Sequence, residues 1–149
     1  MIDLTIETRI MRQPAEVFAY ATDPSELATW QTNTVSARQE GDGAVGLGTR
    51  IREVHRMPGG REAESLVEVS EYEPDRTFAL RVVEGTPIHA RLTFEPSDGG
   101  TLMRFRAHGR IGGRATRLVE LLLRVVLRRQ FARHCETLKR RLESGPQTA

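Results

Sequence analysis

Hydrophobic and polar positions alternate at the start of the chain. Ile2, Leu4, Ile6 and Ile10 fall on one side, and Asp3, Glu7 and Arg9 on the other. A period of two predicts a half-buried strand over 2–10. The alternation stops at Pro14-Ala15-Glu16-Val17-Phe18-Ala19-Tyr20, where proline preorganises a helix's first turn. Asp23-Pro24 interrupts that helix, and Asp23 is suited to cap a second short one that ends at Trp30. From Val35 to Ile111 the turn signals Gly41-Asp42-Gly43, Pro58-Gly59-Gly60, Glu73-Pro74-Asp75, Gly85-Thr86-Pro87 and Ser97-Asp98-Gly99-Gly100 recur. Spacing of this kind predicts antiparallel hairpins, with strands at 49–56, 62–71, 77–83, 88–95 and 101–110.

After Gly112-Gly113 the texture changes. Residues 114–142 contain neither glycine nor proline, and they predict one helix about 43 Å long at 1.5 Å per residue. Leu123, Leu127, Phe131, Cys135, Leu138 and Leu142 form its apolar stripe, which Leu118, Leu122 and Val125 are expected to widen in the first half. Gly145-Pro146 ends the helix, and a flexible tail is expected over 144–149. A sheet with one wet face must bury the other against something. The last helix is the only large apolar element available. The fold class is therefore α+β: a curved antiparallel sheet of about seven strands around a long C-terminal helix, with two short helices after the first strand. One domain is expected over 1–143.

Charge fixes the register of the central hairpin. Arg50, Arg52 and Arg56 share one face of their strand, and Glu62, Glu64 and Glu68 share one face of the next. A three-residue loop opposes Met57 to Arg61. It pairs Arg56 with Glu62 and Arg50 with Glu68 on the wet side. The same register turns Glu53 and His55 inward, opposite Ser65 and Ala63. An even-length loop would put glutamates on the core face.

Composition narrows the function classes. The chain has 149 residues and one cysteine, Cys135, so an intrachain disulfide and a thiolate metal cluster are excluded. No basic, then apolar, leader opens the sequence, and the apolar cluster 118–127 is too short and too charged to span a bilayer. A cytoplasmic location is the expectation. Net charge is only +2, with Lys139 the sole lysine, so nucleic acid is not an expected partner.

The ordered set of motifs resembles the SRPBCC superfamily, also called START-like or Bet v 1-like, and within it the polyketide cyclase/dehydrase group. The residues that carry the resemblance are Pro14-Ala15-Glu16-Val17-Phe18, Asp23-Pro24 with Trp30, and Gly46-Leu47-Gly48-Thr49. Glu71-Tyr72-Glu73-Pro74-Asp75-Arg76-Thr77-Phe78 and Phe94-Glu95-Pro96 with Gly99-Gly100-Thr101 complete it. It covers Ile2 to about Leu142. It implies the helix-grip fold, a cavity between sheet and helix, and an apolar ligand such as a lipid, polyketide or aromatic. It transfers no catalytic residue, because those differ between subfamilies.

The inward faces of the later strands carry Phe78, Leu80 and Val82, then Ile88, Ala90, Leu92 and Phe94, then Met103, Phe105 and Ala107. Such an apolar lining suits ligand binding. The candidate ligand-binding residues are Phe18, Trp30, Ile51, Glu53, His55, Ser65, Leu80, Leu92, Met103 and Phe105. Glu53 and His55 are also the candidate catalytic pair, since general acid–base chemistry needs a positioned proton carrier; solvation at the sheet's open end is the simpler account of both. The resemblance implies that Trp30 lies near the cavity mouth; its plainer role is to pin the short helices against the sheet. No metal or cofactor is expected, since His89 and His108 point outward.

The outer face sets Arg91 opposite Arg106, a like-charge pair to be relieved by Glu95 or Glu84. Arg114, Arg117, Arg124, Arg128, Arg129 and Arg133 stud the helix. An ordinary wet surface explains them; an anionic partner or peripheral contact with lipid headgroups is the alternative. Three functions stay open: a carrier or sensor of a small hydrophobic molecule, a cyclase or dehydratase using Glu53 and His55, and an interaction module working through the arginines. The chain is a monomer or a homodimer on this reading.

Overall fold

The computed structural model describes residues 2–57, 59–110 and 117–145. Seven strands form one antiparallel sheet: β1 (Ile2–Ile10), β2 (Thr34–Glu40), β3 (Arg50–Arg56), β4 (Glu62–Glu73), β5 (Thr77–Glu84), β6 (Ile88–Ser97) and β7 (Gly100–Gly109). Their spatial order is β1-β7-β6-β5-β4-β3-β2, so the chain's first strand closes against its last. Between β1 and β2 lie α1 (Pro14–Ala21), a 3-10 turn (Pro24–Glu26) and α2 (Leu27–Trp30). The long helix α3 (Arg117–Ser144) follows the sheet. The expected helix start at 114–116 and the tail at 146–149 lie outside the described residues.

Local chemistry sets these boundaries. Proline opens both α1 and the 3-10 turn. The Asp23 carboxylate caps the turn by accepting from the Ser25 backbone N–H at 2.9 Å and its hydroxyl at 2.7 Å. Gly109 ends β7 where Pro87 crosses so closely that a β-carbon would collide with its carbonyl oxygen.

The β3–β4 register is the expected one, with Arg56 opposite Glu62, Arg50 opposite Glu68, His55 opposite Ala63 and Glu53 opposite Ser65. The Met57 N–H donates to the Arg61 carbonyl at 2.6 Å across the loop. Arg91 does face Arg106 on the outer side. Relief comes from other carboxylates than expected: Glu71 takes Arg91 at 2.7 Å, and Asp3 takes Arg106 at 2.9 Å. Glu95 instead pairs with Arg104, which also holds Glu7. Arg81 and Arg50 share Glu68. The guanidinium of Arg106 holds the Asp3 carboxyl below its ordinary value, and Arg81 does the same for Glu68.

The core fills one end of the concave face. Phe18 of α1 meets Tyr72, Phe94 and Phe78 edge-on, at 5.5, 5.3 and 6.4 Å between ring centres. The second half of α3 runs beside β1. Lys139 Nζ donates to the Arg9 carbonyl at 2.7 Å, and Glu143 accepts from the Met11 N–H at 2.9 Å. Cys135 and Leu138 are fully buried there.

The first half of α3 corrects the expected stripe. Leu118, Leu122 and Val125 are exposed rather than core-facing. At 100° per residue they lie opposite the face that carries Cys135 and Leu138. Apolar residues surround this half of the helix, and only one arc of it can face the sheet. No helix among the described residues is long and apolar enough to cross a membrane.

Candidate ligand-binding site

Burial along the concave face falls off in one direction on four strands. Ile51, Val67, Val69, Phe78, Leu80, Leu92 and Phe94 are buried. Further along the same faces, His55, Ser65, Val82, Ile88 and Ala90 are half-buried, and Ala63 is exposed. The sheet is packed at the α1 end and half-open at the other. On α3 the sheet-ward residues Leu123, Leu127 and Phe131 are half-buried as well. Phe131 reaches Phe105, with ring centres 5.1 Å apart. The half-open end therefore has apolar walls and few polar anchors, the composition of a small-molecule site.

A polar corner adjoins it. Glu53 is buried, and its Oε2 lies 3.1 Å from His55 Nε2. His55 Nδ1 lies 3.4 Å from the Thr34 hydroxyl, which donates to Gln31 Oε1 at 3.0 Å. Strand alternation explains the pairing, since residues two apart share a face. The contact sets a carboxylate against an imidazole, two kinds of side chain that acid–base chemistry uses.

His134 belongs to the same corner. Its Nδ1 accepts from the Thr32 backbone N–H at 3.0 Å, which leaves the ring's proton on Nε2. Burial, and then the nearby His55, push its pKa down to about 4. The neutral ring is thus a proton donor through Nε2 only.

The predicted site residues separate into two groups. Ser65, His55 and Glu53 stand at the half-open end or at its corner. Phe18, Trp30, Ile51, Leu80, Leu92, Met103 and Phe105 are buried and form the floor of the core. Trp30 is packed into that core, with its indole N–H buried and unpartnered among the described residues. Sequence reasoning missed His134, Thr32, Thr34 and Gln31. His134 carried a signal: it lies four residues before Leu138 and seven after Leu127, hence on the stripe. Gln31, Thr32 and Thr34 carried none.

His89 and His108 pair across β6 and β7, and His89 Nδ1 accepts from the Val82 N–H at 3.2 Å. No group of three metal-ligating side chains occurs among the described residues. Among the described residues, grooves indent the outside. One, of about 620 Å³, lies against Thr137, Arg140 and Arg141, and another, of about 520 Å³, lies beside the 73–77 turn. Neither is lined by Glu53, His55 or Ser65, so neither is the expected space between sheet and helix.

A family model described as polyketide cyclase / dehydrase and lipid transport matches residues 1–143. No curated protein matches the chain. Solved structures share its fold. TTHA0849 from Thermus thermophilus is 18% identical with a TM-score of 0.82, the match covering 97% of this chain and 99% of that one. The di-domain ARO/CYC protein StfQ from the steffimycin biosynthetic pathway is 14% identical with a TM-score of 0.78, covering 95% of this chain and 50% of that one. The Aha1 dimer from Colwellia psychrerythraea is 18% identical with a TM-score of 0.69, covering 99% of this chain and 100% of that one.

Proposed function

Because the chain belongs to the polyketide cyclase / dehydrase and lipid transport family, we propose that it binds a small hydrophobic molecule between the concave face and α3, as a carrier or sensor. One domain over 1–143 serves this role. The observation that carries the reading is the half-open apolar end, where Val82, Ile88, Ala90, Leu123 and Leu127 are incompletely covered. Apolar surface left uncovered at the mouth of an otherwise packed core gains roughly 25 cal/mol per Å² when a ligand covers it.

The test is native mass spectrometry of the protein from its expression host, then titration with the neutral fluorescent probe N-phenyl-1-naphthylamine. Saturable uptake that Ala90→Trp blocks is expected. A protein that carries no ligand and takes up no probe would overturn the reading.

The 3.1 Å contact between Glu53 and His55 favours a second reading, a cyclase or dehydratase with these two as proton carriers. Once a substrate is in hand, unchanged turnover in Glu53→Gln and His55→Ala would remove it.

A further inference from the structure

The two arginine-rich surfaces of this molecule are not alike. On the sheet, Arg50, Arg52, Arg81, Arg91, Arg104 and Arg106 each hold a carboxylate. On α3, Arg117, Arg124, Arg128, Arg129 and Arg133 are all exposed. None of these five comes within 4 Å of a carboxylate among the described residues, and only the longer-range attraction of Arg117 and Arg124 to Glu120, and of Arg124 to Asp3, offsets their charge. Residues 117–133 hold five arginines and one glutamate, hence +4, in a chain whose total is +2. The positive excess of the whole protein sits on half of one helix.

The same half-helix exposes large apolar side chains: Leu118 is 66% exposed, Leu121 55%, Leu122 58% and Val126 58%. Leu118, Leu122 and Val125 fall within about 60° on the outer side, with Leu121 and Val126 flanking them. Arg117, Arg124 and Arg128 line one margin of this patch. Arg129 and Arg133 continue its axis into the next turns. An apolar strip bordered by cations is the pattern of a helix that lies in a bilayer interface.

We propose that the outer face of the first half of α3 docks on an anionic lipid surface. Charge decides between this and a second copy of the chain. A two-fold contact sets a patch against itself, which would bring these arginines together with a net charge of +4 on each side. An anionic bilayer instead offers phosphates to the arginines and hydrocarbon to Leu118, Leu121, Leu122 and Val126.

The experiment is flotation of the full chain with vesicles of phosphatidylcholine and phosphatidylglycerol at 7:3, against pure phosphatidylcholine, at 50 and 500 mM NaCl. Binding to the anionic vesicles at low salt is expected, with a loss of about tenfold at high salt. Arg124→Glu with Arg128→Glu, and separately Leu118→Ser with Leu122→Ser and Val126→Ser, should each weaken it by about tenfold or more. All five positions are exposed, and unchanged thermal unfolding of both variants verifies their folding. Equal binding to the two vesicle types, no binding at 50 mM NaCl, or variants that bind like the parent would overturn the proposal. So would a dimer, seen by sedimentation, that the serine variant dissociates. Uptake of N-phenyl-1-naphthylamine in the absence of vesicles reads the interior site separately.

Discussion

The backbone N–H of Thr32 donates to His134 Nδ1 across 102 positions of sequence, and this bond ties the last helix to the turn after α2. The bond requires a neutral ring, and burial keeps the ring neutral by pushing its pKa down to about 4. In the unfolded chain histidine titrates near 6.5. Between these values the unfolded state binds the extra proton, so stability rises with pH there.

The contribution of His134 is therefore complete above about pH 6.5 and is lost as pH falls towards 4, about 3 kcal/mol in all. Urea unfolding of the parent and His134→Gln, compared across pH 4 to 7, should show the excess slope in the parent alone. Parallel curves would mean that the ring titrates normally.

Glu53→Ala leaves His55 Nε2 facing a buried gap. The expected loss is about 1–3 kcal/mol at pH 7, from the unmade hydrogen bond. Glu53→Gln keeps an acceptor and should lose less. Denaturant midpoints order the three proteins.

Phe18 stands on α1 and touches three rings from three strands. Phe18→Ala should cost about 3–5 kcal/mol, because those rings cannot all close on the space left. Calorimetry measures this directly.

The Cys135 thiol is buried, and burial pushes its pKa up to about 12. It should resist 5,5′-dithiobis(2-nitrobenzoic acid) in the folded protein and react only at the rate of opening. Rapid stoichiometric labelling at pH 8 would show that α3 leaves the sheet far more often than the rest unfolds.

The β3–β4 register was legible because six charges had to reach water, and an even-length loop would have turned Glu62, Glu64 and Glu68 onto the core face. The facing arginines on β6 and β7 were legible for the same reason. Their partners were not: Asp3 and Glu71 come from β1 and β4, and sequence pattern does not say which strands adjoin. The first half of α3 misled because leucine and valine surround it, so periodicity alone picks no face. Glu53 and His55 announced themselves by alternation. Thr32 and His134 meet only once α2 and α3 have packed, and no local pattern records that.

Lys139 is the sole lysine, and its amine is engaged twice, by the Arg9 carbonyl and by Glu143, both at 2.7 Å. The first of those bonds spans the seam between α3 and β1, and the second holds the amine along α3 itself. The molecule thus carries a single internal amine, placed where its helix is fastened. Acylating reagents that modify side-chain amines will count how often that fastening opens.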